Sequence, residues 1–84
     1  MPTLQIKDPA EKDIRALDPT VRERIITAIQ SLRETPFPSG SQKLKGLAHH
    51  YRLRVGDYRV LYEFDDKSQV VTLYLVKHRR EAYR

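Results

Sequence analysis

Apolar and polar residues alternate in two ways along this chain, and the change from one to the other divides it. Over residues 3–7, Thr-Leu-Gln-Ile-Lys puts Leu4 and Ile6 on one side, the period of a short strand. Ala10, Ile14, Leu17 and Val21 then recur at helical spacing, interrupted by a second start signal at Asp18-Pro19. Asp8-Pro9 and Asp18-Pro19 each join an N-capping side chain to a proline at the first helical position. The pattern predicts two consecutive helices in a hairpin, over residues 9–17 and 19–34. Val21, Ile25, Ala28, Ile29 and Leu32 form the apolar stripe of the second. Thr35-Pro36-Phe37-Pro38-Ser39-Gly40 ends it, because proline cannot continue a helix.

Beyond a predicted loop through Lys43-Leu44-Lys45-Gly46-Leu47, the period becomes two. Residues 50–55, 58–64 and 69–76 are rich in β-branched and aromatic side chains, with hairpin-like linkers at Gly56-Asp57 and at 65–68. They predict an antiparallel meander. If Gly56-Asp57 is a two-residue turn, Val55 faces Tyr58, Arg54 faces Arg59, Leu53 faces Val60 and Arg52 faces Leu61. Leu53, Val55, Tyr58, Val60, Tyr62 and Phe64 then share a face for the helices to cover. Arg52, Arg54 and Arg59 gather on the other.

Charge sharpens this picture. Residues 1–41 carry six basic and six acidic side chains, whereas residues 42–84 carry ten against five, so the second half holds the whole net charge of +5. Like charges facing each other across a ladder cost up to ~1 kcal/mol per pair. A bound anion gives the arginine cluster a reason, since the guanidinium fork matches phosphate bidentately. The alternative is internal pairing, with Glu63 neutralising part of the cluster. The tail, residues 77–84, can bring Arg79 and Tyr83 to the rim of that face, with His78 nearby. A tyrosine ring there offers a surface on which an RNA base can stack.

Length and composition set the bounds. A chain of 84 residues makes one domain, 1–84, with a small core. The absence of cysteine removes disulfides, thiolate metal sites and cysteine nucleophiles. No glycine-rich phosphate loop exists, and Asp65-Asp66 beside Lys67 reads as a solvated hairpin tip, so neither a metal nor a cofactor is expected. No apolar run approaches a membrane span and the start lacks a signal-peptide core, so a soluble, cytoplasmic protein without membrane contact is expected.

A helix hairpin, Leu44-Lys45-Gly46-Leu47, the run from Tyr51 to Tyr62 (YRLRVGDYRVLY), a last strand and His78-Arg79-Arg80-Glu81-Ala82-Tyr83 occur in that order. This pattern resembles the RelE-type toxins of toxin–antitoxin modules, within the RelE/ParE superfamily, over nearly the whole chain. The resemblance implies an α+β fold, a small antiparallel sheet with an N-terminal strand and a two-helix hairpin packed on one face. It implies a metal-free endoribonuclease that cuts mRNA in the ribosomal A site by attack of the 2′-hydroxyl on the adjacent phosphate. The implied partners are a RelB-type antitoxin, the ribosome and mRNA, with operator DNA contacted only through the antitoxin. Carried over by position, Arg52 and Arg54 fall where the best-known enzyme has lysines, Arg59 and Arg79 match arginines, and Tyr83 matches the base-stacking tyrosine. His78 falls at a lysine position. The expected catalytic set is therefore Arg52, Arg54, Arg59, His78, Arg79 and Tyr83, and the expected RNA-binding set is Lys43, Lys45, Arg52, Arg54 and Arg80. Arginine scarcely deprotonates, so the arginines take electrostatic roles. Tyr83 stacks on a base and moves a proton, with His78 and then Glu63 next in line as acid or base. Two alternatives of the same fold stay open: a ParE-like inhibitor of DNA gyrase, and an inactive anion-binding subunit of a repressor.

Overall fold

The computed structural model describes residues 2–78 and 80. In chain order the elements are β1 (Thr3–Ile6), α1 (Asp8–Arg15), α2 (Pro19–Ser31), β2 (Ser41–Lys43), β3 (His50–Val55), β4 (Tyr58–Asp65) and β5 (Val70–His78). The strands form one sheet in the order β1-β5-β4-β3-β2. Pairing among β3, β4 and β5 is antiparallel, as the meander predicts; β2 adds antiparallel to β3 without having been expected, and β1 joins β5 in parallel. The β3–β4 register is the one expected from a two-residue turn, with Val55 opposite Tyr58 and Arg54 opposite Arg59. Gly56 takes a positive φ of 59°, which costs glycine nothing. A Cβ added there would lie 3.1 Å from Arg24 Nη2, so the Arg24 head of α2 would have to give way slightly.

One face of the sheet is the core. Leu53, Val60, Tyr62 and Phe64 meet Val71, Leu73 and Val76 beneath Ala10, Ile14, Ile25, Ile29 and Leu32 of the helix layer. The side chains of β5 change phase within the strand. Leu61 pairs with Leu75 but Tyr62 pairs with Leu73, so Tyr74 is an extra residue, a β-bulge. Val71 and Leu73 point to the core before the bulge, and Val76 does so after it.

The helix ends show why the boundaries shift. Lys7, not Asp8, is the N-cap of α1, and no side chain caps it. The Lys7 N–H donates to the Leu73 carbonyl oxygen at 2.9 Å, which keeps Lys7 extended as the last residue of the β1 ladder. The C-terminal end of α1 is satisfied from outside: the Arg22 guanidinium donates to the carbonyl oxygens of Ile14, Arg15 and Leu17 at 2.9–3.2 Å. A cation at a helix C-terminus also meets the negative end of its dipole. Residues 32–34 leave the α-helix in tighter turns, with each N–H bonded three residues back, so α2 stops at Ser31 rather than Glu34.

Two contacts hold the sheet's margins. Where β1 ends, the β5 edge would expose unpaired amides. Asp13 of α1 covers it, accepting from the Val76 N–H at 3.0 Å and pairing with Lys77 Nζ at 3.0 Å. On the other side, Phe37 from the proline-rich loop packs against Tyr51 and Phe64. The Tyr62 hydroxyl beneath it donates to the Pro36 carbonyl oxygen at 2.7 Å.

Two outcomes follow. Asp13→Ala strips a charged acceptor from a strand-edge amide and should lower the unfolding free energy by about 1–3 kcal/mol in urea titrations. Tyr62 carries a pH dependence, because burial pushes its phenol from 10.0 up to about 12. The folded-state value lies above the unfolded one, so the fold favours the protonated phenol. That contribution is complete below pH 10.0 and disappears as pH rises through about 12. Thermal melts should show an alkaline loss of roughly 2–3 kcal/mol that Tyr62→Phe lacks.

Candidate functional site

The face of the sheet away from the helices carries the arginines. Alternation from the fixed β3–β4 register places Arg52 and Arg54 of β3 on it, with Arg59, Leu61 and Glu63 of β4. Arg54 and Arg59 are direct cross-strand partners, and Arg59 is in turn the partner of Lys77 on β5. Three cationic positions therefore lie in one row across three strands. The next row holds Gln42, Arg52, Leu61 and Leu75.

The cations are held differently. Arg52 Nη2 donates to Gln42 Oε1 at 2.6 Å, which fixes its head at the sheet margin. Arg54 is exposed, and its Nε lies 3.5 Å from the Gly56 carbonyl oxygen, at the limit of a hydrogen bond. The Arg59 Nε is shielded from water. Lys77 is drawn round the edge by Asp13. Glu63, the acid that could have neutralised the cluster, is used elsewhere. It accepts from the Tyr74 hydroxyl at 3.2 Å and lies 3.4 Å from His50 Nε2. Along β4 it is four positions from Arg59, roughly 13 Å at ~3.3 Å per residue. A planar fork of donors beside a second one is suited to a phosphodiester, whose oxygens accept from both.

The other expected residues fall in several places. His78 pairs with Tyr58, so it lies on the helix-covered side, with its ring edge-on to Tyr58 at 5.3 Å. Its Nδ1 accepts from the Arg80 N–H at 3.3 Å. The bulge explains this: unbroken alternation from Thr72 and Tyr74 would have left position 78 on the arginine face. Lys43 pairs with Tyr51 on the edge strand β2, so it takes the opposite parity from Arg52. Lys45 and Arg80 are exposed, Lys45 in the loop beyond β2. Arg79 and Tyr83 lie outside the described residues. Gln42 and Lys77 join the site without having been expected. Gln42 sits in a three-residue strand with no periodicity to read, and Lys77 reaches this face only through the bulge. Asp65 at the hairpin tip is occupied structurally. Its Oδ1 accepts from the Lys67 and Ser68 amides at 3.0 and 3.4 Å, and the bonds from Ser68 and Lys67 hold its carboxyl below the usual range.

Two helices cover one face of the sheet and an arginine-bearing face is open on the other, the arrangement that the resemblance to RelE-type toxins implies. Residues 4–83 match the family described as the ParE toxin of the type II toxin–antitoxin system, parDE. The toxin RelG of Mycobacterium tuberculosis is 30% identical over 83 residues, which span 98% of this chain and 95% of RelG. The isolated E. coli RelE toxin superposes with a TM-score of 0.81 at 26% identity, over 99% of this chain and 96% of that one. A chain of the archaeal RelE–RelB complex from Pyrococcus horikoshii gives 0.83 at 28% identity, over 93% and 94%. The chain belongs to the RelE/ParE superfamily of type II toxin–antitoxin toxins.

Arg54 and Arg59 are direct cross-strand partners of like charge. Arg54→Gln should raise the unfolding free energy by up to ~1 kcal/mol at low salt, and the gain should shrink as salt is added. Urea unfolding at two ionic strengths measures both.

Proposed function

We propose that this toxin is a ribosome-dependent, metal-free endoribonuclease that cuts mRNA in the A site. The observation that carries the reading is the direct juxtaposition of Arg54 and Arg59 on the open face, with Arg52 one row away. In the reaction, the 2′-hydroxyl gives up its proton to a base as its oxygen attacks the neighbouring phosphorus, and the bond from phosphorus to the 5′-oxygen breaks. A 2′,3′-cyclic phosphate forms, and the 5′-oxygen leaves as a hydroxyl after gaining a proton. Negative charge builds on the phosphoryl oxygens in the transition state. Fixed guanidinium groups stabilise it without having to reorganise. Arg54 and Arg59 take that role with Arg79, while Arg52, oriented by Gln42, holds the backbone.

Proton transfer needs another group. Its place on the helix side takes His78 away from the arginines, and Glu63 is engaged by His50 and Tyr74, so the resemblance leaves Tyr83 as the candidate. The ribosome supplies in-line positioning, a contribution that orientation alone can make large. Lys43, Lys45 and Arg80 add sequence-independent attraction to RNA. The functional unit is one domain, residues 1–84, acting in the cytoplasm. Among the described residues no helix is long and apolar enough to cross a membrane. A RelB-type antitoxin is the proposed partner, in line with the RelE–RelB complex from Pyrococcus horikoshii, and operator DNA is contacted only through it.

A second reading, inhibition of DNA gyrase, is favoured by the match of residues 4–83 to a family described as ParE toxin. Induction in bacterial cells with 5′-end mapping of messages separates the two. Cuts within ribosome-bound codons are expected, and Arg59→Ala should reduce them at least about a hundredfold and restore growth, in the range seen when one transition-state donor is removed. Intact messages together with loss of supercoiling by purified gyrase would transfer the assignment to the second reading.

A further inference from the structure

The arginine row occupies one end of the open sheet face, and the other end carries a different chemistry. His50, Glu63 and Thr72 lie in register across β3, β4 and β5, and Tyr74 joins them as the bulged residue. The Tyr74 hydroxyl donates to Glu63 Oε2 at 3.2 Å. His50 Nε2 is 3.4 Å from the same oxygen, while Nδ1 is 2.7 Å from the Ala48 carbonyl oxygen. Burial and the Glu63 carboxylate raise the Tyr74 hydroxyl above its ordinary pKa, so it stays a donor at neutral pH. The imidazole and phenol rings are near parallel, at 23° and 5.7 Å between centroids. The cluster is nonetheless accessible: the His50 and Glu63 side chains are 31% and 33% exposed.

Oriented this way, the carboxylate has both contacts on Oε2, and neither is made to Oε1. It is a fixed acceptor flanked by two rings, on the same face as the arginines and roughly 13 Å along the strand from Arg59. A phosphate would be repelled there. A nucleobase would not, provided its edge donates. Rings beside a carboxylate are suited to an unstacked base of single-stranded RNA, which is read by stacking and by hydrogen bonds to its edge.

We propose that His50, Glu63 and Tyr74 form a base-reading subsite next to the linkage held by the arginines, with Glu63 as the specificity-determining acceptor. The proposal rests on reading the open face as an RNA site. Guanine presents two adjacent donors, N1–H and the 2-amino group, and ranks first. Cytosine and adenine each present one amino group. Uracil flanks its single N–H with two carbonyl oxygens, which the carboxylate repels, and ranks last.

The test is direct binding rather than cleavage. Short single-stranded RNAs, 2′-O-methylated at every ribose and differing at one position, are titrated against the purified full-length toxin by fluorescence anisotropy. Guanine should be favoured over uracil about tenfold, the scale of one good edge contact. Glu63→Gln should erase that order, and Arg54→Ala should weaken all four RNAs alike. Tyr74→Phe, which keeps the ring and frees the carboxylate oxygen, guards against a Glu63→Gln variant that fails to fold; it too should alter the order of bases. Equal affinity for all four bases, no binding at low salt, or an order that survives both substitutions would overturn the subsite. A base preference found in a toxin that leaves ribosome-bound messages intact keeps the subsite and removes the nuclease reading.

Discussion

The two-residue turn at Gly56-Asp57 is the constraint on which the site and the core both depend. It sets which residues of β3 and β4 face each other, and side chains alternate strictly on either side of it. Sliding the pairing by one residue would turn one strand's side chains over relative to the other's. Leu53 would then oppose a cation, and an arginine would be directed at Ile25 and Ile29. The apolar face under the helices and the cationic face away from them are two readings of one register. The positive φ of Gly56 is what lets the turn be so short.

Alternation along β3 and β4, the short turn and the paired Asp-Pro starts are local signals, and they made the meander, the helix hairpin and the arginine face readable from the chain. What escaped had no local signal. β2 is three polar residues, Ser41, Gln42 and Lys43, and is a strand only because β3 offers it a partner. The parallel pairing of β1 with β5 joins distant parts of the chain. The bulge at Tyr74 lies in a run, Val-Val-Thr-Leu-Tyr-Leu-Val, so uniformly apolar that no phase change shows in it. That one inserted residue exchanges the fates of Lys77 and His78, bringing the lysine to the arginine row and taking the histidine to the helices.

The bulge also ties the two layers together. Beyond it, β5 no longer has β1 as a neighbour, and its outer amides need another acceptor. Asp13 supplies one to Val76 and draws Lys77 towards α1. The acid-balanced first half of the chain thus does more than cover apolar surface. One of its carboxylates partly neutralises the cationic row at its β5 end, while Arg54 at the β3 end is left exposed.

Charge on the open face is graded rather than uniform, and the gradient gives the face a direction. At one end, the cross-strand partners Arg54 and Arg59 set two forks of donors side by side, which suits a phosphate. At the other, the carboxylate of Glu63 is held by a phenol and an imidazole. A polyanion laid on a uniformly basic sheet could slide or reverse. On this face phosphate is attracted at one end and repelled at the other, so a strand whose backbone meets the arginines must present something other than phosphate to Glu63. In the arrangement proposed above, single-stranded RNA meets both ends, backbone to the arginines and base edge to the acid. A duplex, with its base edges paired and phosphate on the outside, does not.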